Sequence, residues 1–512
     1  MKREFSILVF LFLLSLFLIN VNIRLDYVVF NKDYPLFFYG LLCEAVKKGK
    51  LLYYTLPYHF DSWDHIAIAN EIIKKERIIS YNPFLGENFY DMNWELNYHL
   101  FLVEIALLTG IKPLYLDVII PTIIGFILAL NVFILVRYLT KSDLAGIFSS
   151  IFVLTIKSNW TLLGLWFLVP VAYGMSMLPL FLLLFLKAIN SGRRISAWDI
   201  MLLIIFIQVT LSHPPSTIIL IPIFLLYLIL NPDLIQKNKE KIFIGIIVLL
   251  ILLLRFVFID NEFKFIYKII RILTFSDEPY PTRFHYDTFL GYIAIIPALI
   301  CICGVVKDKK MRILPVAFIS LMPFILQYYL TGKLFLCPFR RLFIYTSEIA
   351  LMMAGIGLFY LYDFITKFTK SGKIKIMVLL VIMIMLFIQM DSSFYYRDKL
   401  PHIIHDDDIN SIEYFKNTPK DSVVLTFSIY SRPIWLIGER RIISLERARL
   451  SADRRINMKA NMFFNEDCKG KEKIINELNA DYIFSKGKIK CEFLREVYSD
   501  EGNRNFIYKH EP

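Results

Sequence analysis

Asp61, Asp64 and His65 stand together in Phe60-Asp61-Ser62-Trp63-Asp64-His65, and Glu87, Asp91 and Glu95 follow at four-residue spacing, with His99 just beyond in Asn97-Tyr98-His99. A carboxylate in a polar cavity deprotonates an acceptor hydroxyl or holds a divalent cation against phosphate. The structural alternative is that Asp61 is a helix N-cap and Asp64 a first-turn acid, neither needing a chemical role. Glu87, Asp91 and Glu95 would share a helix face, although Asn82-Pro83 and Gly86 read as loop. His99 suits a ligand, a proton carrier or a hydrogen-bonded interfacial residue. Two further groups qualify. His213, in Ser212-His213-Pro214-Pro215, sits where two prolines end a helix. Arg340-Arg341, after Cys337-Pro338-Phe339, offers planar forks that bind phosphate oxygens bidentately, or else two snorkelling flanks.

These polar groups belong to a 512-residue chain that is 57% hydrophobic and only 20% charged, with mean hydropathy +0.55. Such a chain is an integral membrane protein rather than a soluble enzyme. Carboxylates at a bilayer boundary are costly unless solvated or paired, so several together indicate a polar cavity. The net charge of +12 sits largely in short loops between apolar segments, which the positive-inside rule explains without nucleic acid. The six cysteines form no CxxC pair and no His/Cys cluster, which disfavours a thiolate metal site. Cys301 and Cys303 read as small apolar residues of a span. Cys468 and Cys491 share the tail, and their spacing leaves pairing open.

An apolar window at 5–21 follows Lys2 and Arg3 and lacks a small-x-small cleavage site, so it reads as a retained first span with a cytoplasmic N-terminus. Further windows fall at 115–136, 143–156, 173–188, 198–212, 217–230, 242–259, 286–306, 313–330, 342–362 and 374–390, giving about eleven spans, of which 143–156 is the weakest. With that count the basic connections, among them Arg137 with Lys141, Arg193-Arg194 and 307–312, share the cytoplasmic side. The other side receives the loop 22–114, the His213 turn, the Arg340-Arg341 segment and the tail. The tail, 391–512, has soluble α/β patterning, with helices expected at 408–416 and 471–478 and strands at 422–427, 481–485 and 504–508. The expected fold is thus a polytopic α-helical membrane domain, 1–390, with a small extracytoplasmic α/β domain, 391–512.

Two helical patterns interrupt the first external loop, at 64–77 and 98–109. In the first, Ile66, Ile68, Ala69, Ile72 and Ile73 fall largely on one face, with Asn70, Glu71 and Lys74 away from it. Both patterns suit helices lying along the membrane interface, with Trp63, Tyr81, Trp94 and Tyr98 as an aromatic belt.

This arrangement resembles the GT-C membrane glycosyltransferases, which include oligosaccharyltransferase catalytic subunits and protein O-mannosyltransferases. The resemblance covers nearly the whole chain at the level of architecture. It rests on FDSWDHIAIANEIIKKERIISYNPFL at 60–85, NYHLFLVEIALLTGI at 97–111, SHPPS at 212–216, CPFRRLFIYTSEIALMMAGIGL at 337–358, and EYFKNTPKDSVVLT and NADYIFSKG in the tail. The tail patterns are similar to those of prokaryotic, archaeal-type members. The resemblance implies transfer of a sugar from a polyprenyl- or dolichyl-phosphate donor at the outer membrane face. It implies Asp61, with Asp64 as alternative, as base or as ligand of a Mg- or Mn-like cation. Arg340 and Arg341 would contact the donor phosphate, and His65, His99, His213, Glu87 and Asp91 would shape the acceptor cavity. The tail lacks WWDYG, its nearest Trp segment being Pro433-Ile434-Trp435-Leu436-Ile437-Gly438, so sequon recognition is not implied. A transporter or flippase of a lipid-linked saccharide would show paired half-repeats and charges near span centres, whereas the charges here are mainly in loops. A non-catalytic scaffold that binds partners through the tail is the third reading.

Overall fold

In a computed structural model, the structure describes residues 6–15, 60–84, 95–117, 119–156, 164–165, 167–192, 195–247, 276–277, 292–305, 310–335, 337–368, 371–394, 404, 406–445, 453–502 and 504–511. In chain order the helices begin with α1 (Ser6–Ser15), α2 (Phe60–Lys75), α3 (Leu96–Thr109), α4 (Ile119–Thr140), α5 (Asp143–Leu154) and α6 (Pro170–Asn190). Next come α7 (Ala197–Ser212), α8 (Pro214–Ile229), the short α9 (Pro232–Lys237), the strand β1 (Ser276–Asp277), α10 (Tyr292–Val305), α11 (Ile313–Thr331) and β2 (Lys333–Leu334). The long α12 (Phe339–Lys367) and α13 (Gly372–Phe394) precede α14 (Asp406–Glu413), β3 (Val423–Leu425), α15 (Ser431–Ile437) and β4 (Arg441–Ile442). The chain closes with α16 (Asp453–Phe463), α17 (Cys468–Leu478), β5 (Tyr482–Ser485), β6 (Leu494–Ser499) and β7 (Phe506–His510).

These elements form two compact units, one of residues 1–34, 94–98 and 118–400, the other of 35–93, 99–117 and 401–512. The first is the polytopic helical bundle. Helices coincide with ten of the expected apolar windows, and 242–259 lies mostly outside the described residues. Among the described residues four helical stretches are long and apolar enough to cross a membrane, Pro113–Thr140, α6, α11 and α12. At 12 residues α5 reaches only about 18 Å, short of a hydrocarbon core. Its neighbours compensate by close approach. Gly355 of α12 leaves room only for the Ser149 backbone of α5, and a Cβ at Gly357 would fall on the Pro297 carbonyl oxygen of α10. Ser149 Oγ then donates to Met352 O at 2.9 Å, and Ser150 Oγ to Ala129 O at 2.7 Å. Small residues and hydroxyls supply the contacts that lipid-immersed helices cannot draw from the hydrophobic effect. Gly357→Val is therefore expected to lower the apparent thermal midpoint in detergent, since overpacking against backbone costs about 1–3 kcal/mol or more. Gly245→Val, at a site with no atom within 4 Å of its added Cβ, is the control.

The second unit holds a five-stranded sheet in the order β4-β3-β5-β7-β6. β3 pairs parallel with both β4 and β5, while β7 runs antiparallel to β5 and β6. β5 is buried at all four residues, as befits a central strand covered on both faces. Ile475 of α17, Phe463 of α16, and Leu425, Ile483 and Tyr508 of the sheet make its core. α17 starts at Asp467, whose carboxylate accepts from Gly470 N at 2.8 Å, and stops at Asn479 in the left-handed conformation, φ 51°. Cys468 and Cys491 are disulfide-bonded, which resolves the alternative their spacing left open.

Three expectations change. Asp61 lies within the first described turn of α2 rather than ahead of it as an N-cap. Glu71, expected away from the apolar face, is buried and accepts from Tyr81 Oη at 2.9 Å. Trp63 and Tyr98 have no exposed surface, so they are packing residues rather than belt residues.

Candidate functional site

In the second unit, α2 carries Asp61, Asp64 and His65 along one helix. Apolar residues bury it on nearly every side through Ile72, with Trp63, Ile66, Ala67 and Ala69 at zero exposure. That packing fixes the helix and hence the carboxylates on it. Asp61 and Asp64 are both half-buried. Arg432, in the first turn of α15, grips Asp64 as a fork, Nε to Oδ1 at 2.5 Å and Nη2 to Oδ2 at 3.1 Å. Arg432 is 3% exposed in its side chain against 35% for Asp64. The guanidinium also lies 5.8 Å from the Phe84 ring centre, and Trp435 meets Phe84 edge-on at 5.1 Å.

His65 meets a second expected residue, His99 of α3. Their Nδ1 and Nε2 atoms are 2.9 Å apart, with ring centroids at 5.1 Å, and both side chains are buried. Two imidazole nitrogens aimed at one point share a proton or a borderline cation such as zinc, whereas Mg and Mn prefer oxygen donors. Glu87 and Asp91 lie outside the described residues.

The helical bundle holds the other expected groups. His213 sits in the turn between α7 and α8, buried, with Nδ1 2.5 Å from Ser216 Oγ. Ser216 Oγ in turn bonds the Tyr345 hydroxyl of α12. Gly174 of α6 lies against this chain, where a Cβ would overlap Ser216 and stand 2.5 Å from Tyr345 Oη. Burial pushes the His213 imidazole well below its usual pKa, and the positive charge of Arg341 pushes it the same way. His213 is thus neutral at pH 7, able to donate one hydrogen bond and accept another.

Arg340 and Arg341 open α12, one and two residues after its first residue, Phe339. The positive end of the helix dipole disfavours cations there, so helix stability does not account for them. A helix start presents backbone N–H groups that favour an anion. α12 also carries Glu348, completely buried, with neither carboxylate oxygen hydrogen-bonded. Neither Arg432 nor Glu348 was expected from sequence. The only cue to Arg432 was an aromatic, Pro-containing turn, Arg432-Pro433-Ile434-Trp435, in an otherwise polar tail.

A bundle of apolar helices joined to a small C-terminal α/β sheet is the GT-C membrane architecture, and solved structures of that class share it with this chain. The Archaeoglobus fulgidus oligosaccharyltransferase in its apo form is similar at a TM-score of 0.64 and 13% identity, covering 94% of this chain and 69% of its own. ArnT from Cupriavidus metallidurans is similar at 0.54 and 10% identity, covering 92% and 97%. The mycobacterial arabinofuranosyltransferase AftD gives 0.54 and 10%, covering 93% of this chain and 40% of its own. The archaeal enzyme has also been solved with Zn and sulfate, and with an inhibitory peptide and a dolichol-phosphate. ArnT has been solved bound to undecaprenyl phosphate. No family model and no curated protein sequence matches the chain.

Proposed function

We propose that the protein is a membrane glycosyltransferase that moves a sugar from a polyprenyl- or dolichyl-phosphate donor to an acceptor at the outer membrane face. The observation that carries this reading is the GT-C architecture across 94% of the chain, in a class whose solved members include complexes with lipid phosphates. In the proposed step the acceptor nucleophile attacks the anomeric carbon, its proton passes to a carboxylate, and the bond from that carbon to the phosphate oxygen breaks with inversion. Asp61 is the carboxylate that the resemblance favours, with Asp64, which Arg432 holds by both oxygens, as the alternative. Arg340, Arg341 and the start of α12 take the leaving lipid phosphate, an electrostatic role that needs no nucleotide-binding loop. The neutral His213, held by Ser216, orients a hydroxyl of donor or acceptor.

We place the C-terminal domain outside the cytoplasm and the N-terminus inside. The Cys468–Cys491 disulfide supports that side, since structural disulfides persist in oxidising compartments. The test is transfer of labelled sugar from a panel of polyprenyl-phosphate donors in membranes containing the full chain. Label appearing in a new product only when the chain is present is the expected result. No transfer from any donor, with folded protein and added divalent ion, would overturn the reading in favour of a saccharide transporter or a scaffold.

A further inference from the structure

We infer that Lys141, Lys187 and Lys310 form a binding site for the phosphate headgroup of an anionic phospholipid, at the end of the bundle opposite the His213 turn. The three ammonium groups converge on the ring of Tyr138 in the last turn of α4, Lys141 at 4.9 Å from its centre, Lys310 at 5.4 Å and Lys187 at 5.9 Å. Lys141 directly follows α4, Lys187 stands in the last turn of α6, and Lys310 shortly precedes α11. Three separate connections thus deliver cations to one ring, all within the bundle unit. Lys187 also lies 3.7 Å from the ring centre of Trp198, which is exposed in the first turn of α7.

The positive-inside pattern accounts for lysines on this side but not for their meeting at one ring, since ammonium groups so placed repel one another. Asp143 is bonded to Arg137 at 2.8 Å and Asp199 to Lys241 at 2.9 Å, while the Lys141 and Lys187 side chains make no hydrogen bond or ion pair among the described residues. A phosphate offsets that charge by accepting from several ammonium groups at once. What commits the site to a lipid is the surface beside it. Ile200, Met201 and Ile204 of α7, just beyond Trp198, are all exposed and offer an apolar face for acyl chains. Trp198 and Tyr138 mark the headgroup level, where amphipathic rings settle. The inference concerns the lipid held by the bundle and stands whether or not sugar transfer is observed.

The experiment is titration of the full chain, purified in a neutral detergent, with phosphatidylglycerol or phosphatidylcholine, read by native mass spectrometry as lipid bound per chain, with inorganic phosphate as competitor. Phosphatidylglycerol is expected to bind the more tightly. K141Q/K187Q should weaken it about 25-fold, at about fivefold per lysine, whereas K141R/K187R should stay within about twofold of wild type. K373Q/K375Q, which removes two exposed lysines at the start of α13 on the same side, should also stay within about twofold. Each variant is checked for a monodisperse elution profile, so that loss of lipid is separated from loss of fold. Equal weakening in K141Q/K187Q and K373Q/K375Q would overturn the inference in favour of diffuse charge. Equal binding of the two lipids would overturn it by removing the anionic headgroup, and displacement by millimolar inorganic phosphate would make the site one for a soluble anion.

Discussion

Asp61→Asn is expected to lower sugar transfer about 10²–10⁴-fold, the usual contribution of a positioned general base, with little change in thermal midpoint. The substitution keeps the volume and much of the hydrogen bonding of a half-buried side chain in a helix packed by Trp63, Ile66 and Ala67. Its loss should therefore appear in kcat rather than in folded yield. Measuring transfer and thermal midpoint on the same preparations separates the two. A variant that transfers sugar within a few-fold of wild type would remove Asp61 from the chemistry.

Asp64 should behave in the opposite way. Removing a carboxylate from a guanidinium that is 3% exposed withdraws the group that compensates a buried charge, which typically costs about 3–5 kcal/mol. Arg432→Met should cost less, about 1–2 kcal/mol, because Asp64 keeps a third of its side-chain surface in water. The expected order of thermal midpoints is thus wild type, then R432M, then D64A. The double variant should recover part of the D64A loss, since the apolar stem then occupies the slot without a charge. Equal losses for the two single variants, adding fully in the double, would mean the ion pair is incidental to the packing.

Much of the architecture was legible in the sequence because hydrocarbon is a stringent solvent. Windows of apolar residues long enough to cross it stand out against Lys and Arg in the connections, and helices occupy ten of them. In the tail, the α17 and β5 patterns were read to within a few residues, since Asp467 and Asn479 mark the helix ends and Tyr482–Ser485 is uniformly apolar but for its last residue. Other elements carried weaker marks. β4 is two residues long, and β6 shows an irregular burial pattern with a register shift between Glu496 and Tyr498. The site divides in the same manner. Asp61, Asp64, His65 and His99 were singled out by residue type and neighbourhood. The partner of Asp64 lies 368 residues away, and no local pattern encodes a contact at that distance. The His65–His99 approach likewise joins two helices through a tertiary contact, whereas Arg340 and Arg341 were readable because two cations at the outer end of a span run against the positive-inside pattern.

The separation between Asp64 and Arg432 also sets an order on biogenesis. α2 is delivered early, and the side chain that clamps it emerges only after another 368 residues have been made, roughly 20–70 s later at 5–20 residues per second. Throughout that interval the half-formed first loop has neither its salt bridge nor the aromatic contact from Trp435. A ribosome that stalls before codon 432 would release a chain whose bundle is nearly complete and whose α2 is still unclamped. Quality-control proteases should cut such a product first in the segment around α2.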